Sequence, residues 1–111
     1  MVMQAGADVF QAVADGVRRS ILHRLRSGGL AVNEIARGFP ISRPAISKHL
    51  RILAASNLVL EQRQGRRRIY RLNAEPLREV ERWLDEYREF WTVNLANLKK
   101  YVEAKRPSNE G

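Results

Sequence analysis

The 111-residue sequence predicts a mainly α-helical domain with one small β-hairpin, and three observations carry that expectation. Four segments before Ala55 place apolar residues at three- and four-residue spacing, bounded by cap residues or breakers. Between Leu58 and Asn73 the pattern changes to two short runs around "QGRR", a tight reversal. From Pro76 the three–four spacing returns and lasts to Val102.

The first helix is expected over about Ala7 to Ala14, with Val9, Phe10 and Val13 forming its apolar stripe. Asp15 is the N-cap of a second, "GVRRSILHRLRS", closed by Gly28-Gly29. Val17, Ile21, Leu22 and Leu25 make its inner face, and Arg18, Arg19 and Arg26 point outward. A short third helix, "VNEIARGF", turns Val32, Ile35, Ala36 and Phe39 inward before Pro40 breaks the chain.

Ser42 caps a fourth helix that runs to about Ala55, and Pro44 sits in its first turn, where a missing N–H costs nothing. A strand follows from Leu58 to about Arg63. Its return, "RIYRLN", is expected to point Tyr70 and Leu72 inward and Ile69 and Arg71 outward. Two strands alone are marginal, so the hairpin must lean on the helices. A final helix over 76–103 completes a single domain, and 104–111 reads as a disordered tail. Three core helices followed by a basic hairpin make a winged helix-turn-helix.

Charge locates the working surface. The chain has 20 Lys and Arg against 12 Asp and Glu, net +8. Residues 42–73 alone carry eight cationic side chains and one anionic one, Glu61, so nearly the whole excess falls in 32 consecutive residues. A cationic cluster of that density suits a polyanion. The absence of cysteine excludes disulfides, thiolate metal sites and a cysteine nucleophile. No run of about 18 apolar residues offers a membrane span, and the first fifteen residues lack the pattern of a signal peptide, so a cytoplasmic protein is expected.

On "SRPAISKHLRIL", Ile46, Leu50 and Leu53 share one narrow arc. Arg43, Pro44, Ser47, Lys48 and Arg51 share another, with no acid anywhere from 42 to 55. A helix of this kind fits a DNA major groove. Arg43 lies at the N-terminal end, where arginine can pair with guanine O6 and N7. Ser47 can donate to or accept from base edges, and Pro44 suits a thymine methyl. Lys48 and Arg51 suit phosphates, as does the helix N-terminus at Ser42. Arg66, Arg67 and Arg68 at the hairpin tip either keep an edge strand from aggregating or straddle the DNA backbone as a wing. His49 falls beside the buried arc and is expected to be packed or hydrogen-bonded.

"ADGVRRSIL", "NEIA", "ISRPAISKHLRIL" and "GRRRIYRLN", in that order and spacing, resemble the ArsR family of bacterial winged-helix repressors over about residues 8–100. The final helix with "WLDEYREFW" is similar to the autorepressor subgroup that lacks metal sites. The resemblance implies a homodimer on inverted-repeat double-stranded DNA, base reading by Arg43, Pro44, Ser47 and Lys48, and a wing at Arg66 to Arg68. Residue chemistry adds backbone contact by Ser42 and Arg51, and with no cysteine and only His23 and His49, no cofactor or metal is expected. Two positions depart from the family. Gly16 stands where proline is usual, and Ala31 where a threonine or serine often caps, forgoing about 1 kcal/mol.

A helix over 76–103 would span about 42 Å, further than a core of this size reaches. It carries Trp83, Tyr87, Phe90, Trp91 and Tyr101, five of the eight aromatics. Some must cover the protein's own core; a face this broad also suits a second copy. The expected dimer surface is Trp83, Tyr87, Phe90 and Trp91, joined by Phe10 and Val13. Two-fold symmetry would set two reading helices about 34 Å apart.

The alternative is a winged-helix module for protein–protein contact, in which the basic face is dispensable. An enzyme is not expected, because no phosphate-cradling glycine loop or nucleophile–base set is visible, and Ser20 near His23 is a coincidence of helical spacing. No cluster of residues points to a small-molecule effector.

Overall fold

The computed structural model describes residues 8–105. The chain falls into two compact units, Met1–Val80 and Glu81–Gly111. In the first, α1 (Val9–Ala12) starts where the Asp8 carboxylate accepts the Phe10 N–H at 2.9 Å. α2 (Gly16–Arg24) starts likewise at Asp15, which accepts the Arg18 N–H at 3.0 Å. These side chains satisfy donors that the first helical turn leaves without partners. Beyond Arg24 the helix tightens into a 3-10 turn, Leu25–Ser27, and Gly28 leaves it at φ 140, a conformation open to glycine.

A two-residue strand, β1 (Leu30–Ala31), leads into α3 (Val32–Ala36). Ala31 has no oxygen with which to cap, but Glu34 reaches back to accept the Ala31 N–H at 2.8 Å, one half of a capping box. Arg24 ties α2 to α3: its guanidinium donates to the Glu34 carbonyl at 3.1 Å and lies where a side chain at Gly38 would otherwise sit.

α4 (Arg43–Ala55) begins as its sequence dictates, with the Ser42 hydroxyl accepting the Ala45 N–H at 3.2 Å and Pro44 in the first turn. Its apolar arc, Ile46, Leu50 and Leu53, is almost wholly covered by Ile21, Leu22 and Leu25 of the α2 segment, Ile35 of α3, and Leu58 and Val59. Burying such a side chain contributes about 1.5–3 kcal/mol, so this set dominates the unit's stability. Asn57, at φ 63, turns the chain out of α4.

β2 (Val59–Gln64) and β3 (Arg67–Leu72) pair antiparallel, Gln64 opposite Arg67, around the two-residue turn Gly65-Arg66 with Gly65 at φ 63. Two expectations need correction here. The sheet has three strands, in the order β1-β3-β2, because Leu30 and Ala31 pair with Tyr70 and Ile69. Ile69 is not outward: it is 6% exposed, whereas Tyr70 and Leu72 are half-buried against the core. The added strand covers the free edge of β3, and Ile69 fills the space that Gly29, with no side chain, leaves open.

The expected single helix over 76–103 is two, α5 (Leu77–Asp85) and α6 (Arg88–Lys105). Glu86 and Tyr87 donate to the carbonyls of Trp83 and Leu84, three residues back rather than four, and this tightening ends α5 without proline or glycine. Asp85 and Arg88 pair across the break, and the Tyr87 carbonyl accepts the amides of Phe90 and Trp91 in the first turn of the new helix. Leu77 and Val80 pack on the core of the first unit. In the second unit Trp83, Tyr87, Phe90, Trp91 and Tyr101 are all exposed, with the Trp83 and Tyr87 rings edge to face at 5.3 Å. Of the expected tail, residues 104 and 105 belong to α6 and 106–111 lie outside the described residues. Among the described residues no helix is long and apolar enough to cross a membrane.

Candidate nucleic-acid interface

The α3–turn–α4 segment brings the N-terminal end of α4 beside the hairpin, and a groove of about 540 Å³ lies between them. Arg43 and Ser47 line it from α4, Asn33 and Glu34 from α3 with Arg37 at its C-terminal cap, and Arg66, Arg67, Arg68 and Tyr70 from the hairpin. Residues from three segments of chain thus deliver five guanidinium groups to one concave surface. Arg43 is exposed and Ser47 half-buried, so both side chains are available at the surface.

Other expected residues lie elsewhere. Pro44 and Lys48 are exposed but do not line the groove. Ser42 is exposed, its hydroxyl oxygen engaged in the helix cap. Arg51 lines a smaller hollow with Asp8, Gln11 and Arg18, beside α1. Phe10 and Val13 are half-buried and pack on the core of their own unit. Two further hollows along α2 share His23 and Arg24 and include none of the expected reading residues.

The three hairpin arginines are not equivalent. Only Arg66 stands in the turn. Arg67 Nη2 is 3.0 Å from a Glu34 carboxylate oxygen, and Arg68 Nε is 3.1 Å from Glu61. The Ala31 N–H donated to Glu34 holds that carboxyl below its usual range, with the Arg67 and Arg37 guanidiniums adding to the effect. Burial pushes the Tyr70 hydroxyl up, reinforced by Glu61 and opposed by Arg68. Both groups therefore keep their neutral-pH charge states: Glu34 anionic, Tyr70 protonated.

His49 is hydrogen-bonded, as its position on α4 implied: Arg18 Nη1 lies 3.1 Å from His49 Nδ1, with Asp15 at 3.9 Å. The sequence reading missed the α3 contribution. Its signal was present, since Asn33 and Arg37 are polar at four-residue spacing opposite Ile35.

A concave surface of arginines beside a helix N-terminus can take duplex phosphates, while Arg43 and Ser47 offer donors suited to base edges. Comparison with known proteins agrees with that chemistry. Residues 13–62 match the family described as "Helix-turn-helix domain". The HTH-type transcriptional regulator Rv2034 of Mycobacterium tuberculosis is 42% identical over 95 residues, covering 86% of this chain and 86% of its own. The transcriptional repressor SdpR of Bacillus subtilis is 38% identical, over 69% of this chain and 86% of its own. Among solved structures, the ArsR family transcriptional regulator RHA00566 superposes with a TM-score of 0.68 at 39% identity, over 77% of this chain and 93% of its own. The homodimeric winged helix-turn-helix DNA-binding domain of Mb0332 from Mycobacterium bovis gives a TM-score of 0.58 at 29% identity, over 91% of this chain and 85% of its own.

Proposed function

The chain belongs to the ArsR family of DNA-binding transcriptional regulators, and we propose that it is a repressor that binds inverted-repeat promoter DNA as a homodimer. The observation that carries this reading is the groove in which Arg43 and Ser47 of α4 meet the hairpin arginines. Arg43 and Ser47 read base edges in the major groove, with Pro44 and Lys48 at its margins. Ser42, Arg51 and Arg66 hold the backbone, and Arg67 and Arg68 extend the wing along it. The protein represses by occupying promoter DNA in the cytoplasm and excluding polymerase; its relative SdpR bears the name of a repressor.

Homodimerisation is supported by the exposed aromatic surface of the second unit, where Trp83, Tyr87, Phe90 and Trp91 are between 41% and 58% accessible. So much exposed aromatic area suits a partner surface, and the solved domain of Mb0332 is homodimeric.

Binding of the purified protein to its own upstream DNA, measured at rising salt, tests the reading. A steep loss of affinity with salt is expected, because each phosphate contact releases counterions. Failure to retard any promoter fragment, even at low salt, would overturn it.

A further inference from the structure

Five arginines and one carboxylate line the groove. A carboxylate is the wrong charge for a surface that takes phosphates, and Glu34 is held there by structure. One of its oxygens, Oε1, accepts the Ala31 N–H at 2.8 Å and faces Arg67 Nη2 at 3.0 Å. Swinging Glu34 away would leave the N–H of buried Ala31 without its partner. The helix cap therefore fixes an anion beside a wing arginine.

We propose that Glu34 occupies the place of a DNA phosphate on Arg67 and so limits how tightly the groove grips any duplex. The proposal deepens the DNA-binding reading and rests on it. Arg67 is 59% exposed and Glu34 36%, so their ion pair is solvated and weak enough for a phosphate to displace. Displacement leaves Glu34 within a Debye length of the incoming backbone, where its charge still opposes the duplex. Arg68 differs, because its carboxylate partner, Glu61, lies on the hairpin and does not line the groove. A regulator that must leave random DNA to find its operator gains from such a brake, since phosphate contacts carry nearly all non-specific affinity.

The test is a double-mutant cycle of Glu34→Gln and Arg67→Gln, read as duplex affinity across a salt series. Glutamine keeps an oxygen for the Ala31 N–H and removes only the charge. Glu34→Gln is expected to tighten binding to operator and random duplex alike, by roughly threefold to tenfold, and to steepen the salt slope by about one. Arg67→Gln is expected to weaken binding in both backgrounds, but several-fold more beside Glu34→Gln, where no ion pair is given up for the phosphate contact. A merely structural brace would give the opposite sign, with Glu34→Gln weakening every duplex; that result, or equal effects of Arg67→Gln in both backgrounds, overturns the proposal. Thermal denaturation of each variant verifies folding, and Glu34→Asp, which keeps the charge on a shorter arm, replaces Glu34→Gln if that variant unfolds: it must then bind with wild-type salt dependence, or the proposal fails. If the wild type binds no duplex at low salt, the DNA-binding reading itself has failed and this proposal with it; if the wild type binds and the cycle shows no coupling, only the role of Glu34 is wrong.

Discussion

Arg18 reaches His49 across 31 positions of sequence, Nη1 to Nδ1 at 3.1 Å, and so joins α2 to α4, the helix that carries the proposed reading residues. The same guanidinium donates to the carbonyls of Ala12 at 2.8 Å and Gln11 at 3.3 Å. One side chain thereby fixes the end of α1 and the outer edge of α4. Arg18→Ala should cost about 1.5–3 kcal/mol, the range for hydrogen bonds to charged groups. Arg18→Lys should recover only part of it, because an ammonium lacks the planar fork. Urea denaturation of both variants measures the difference; equal stability of Arg18→Ala and wild type would show these bonds to be incidental.

Arg43 is the sharpest test of base reading. Arg43→Ala should lose about 1–3 kcal/mol of discrimination at one base position while leaving the dimer intact. Competition between the operator and single-base variants gives the discrimination, and sedimentation gives the assembly state. Unchanged selectivity would move base reading to another part of the groove.

The wing arginines should divide according to their partners. Arg66, in the turn, has no carboxylate partner among the described residues, whereas Arg68 faces Glu61. Arg66→Ala should flatten the salt dependence by about one unit of slope, and Arg68→Ala by less. Changing Arg66, Arg67 and Arg68 together should weaken all duplexes alike. A salt series on the three variants reads out each effect.

Gly29 is required by packing. A methyl group there would stand 2.7 Å from Ile69 Cγ2 and 3.0 Å from Arg71 Cγ. Ile69 is buried and has little room to yield, so Gly29→Ala should destabilise by about 1–3 kcal/mol. Gly29→Ala combined with Ile69→Leu, which has no Cγ2 methyl on its β carbon, should regain part of that loss. Thermal unfolding of the two variants tests whether the clash is the cause.

Acid should destabilise the first unit through its helix caps. Asp15 is held below the ordinary carboxylate range by the Arg18 N–H, and Glu34 by the Ala31 N–H. A carboxyl depressed by folding stabilises the native state above its unfolded value and loses that contribution as pH falls through the folded one. Stability should be level near neutrality and decline through the acid range below the usual carboxylate value. Glu34→Gln should make the decline shallower, which denaturant titrations at several pH values would reveal.

Much of this was legible in the sequence because the signals were local. Asp15, Ser42 and Pro44 mark helix starts by chemistry acting within four residues, and Ile46, Leu50 and Leu53 declare the buried side of α4 by spacing alone. What escaped depends on distant partners. β1 is two residues long and shows no alternation, so only its pairing with Tyr70 and Ile69 defines it. The burial of Ile69 follows from that pairing. The interruption at Glu86 and Tyr87 leaves the apolar spacing unbroken and carries neither proline nor glycine, so periodicity runs straight through it. In the groove, Arg43 and Ser47 were readable from their helix, but the link from Arg67 to Glu34 crosses from hairpin to α3, beyond any local pattern.

The short ladder at Leu30 and Ala31 also separates two properties that protein engineers would otherwise alter together. Extra residues spliced in at Gly65 and Arg66 would lengthen the arm and leave its heading alone. One residue added or removed at Gly28 and Gly29 would slip the ladder by a step, exchange the sides on which Leu30 and Ala31 present themselves, and re-aim the whole arm. Reach is thus adjustable from the distal tip, while bearing is set where the arm joins the sheet.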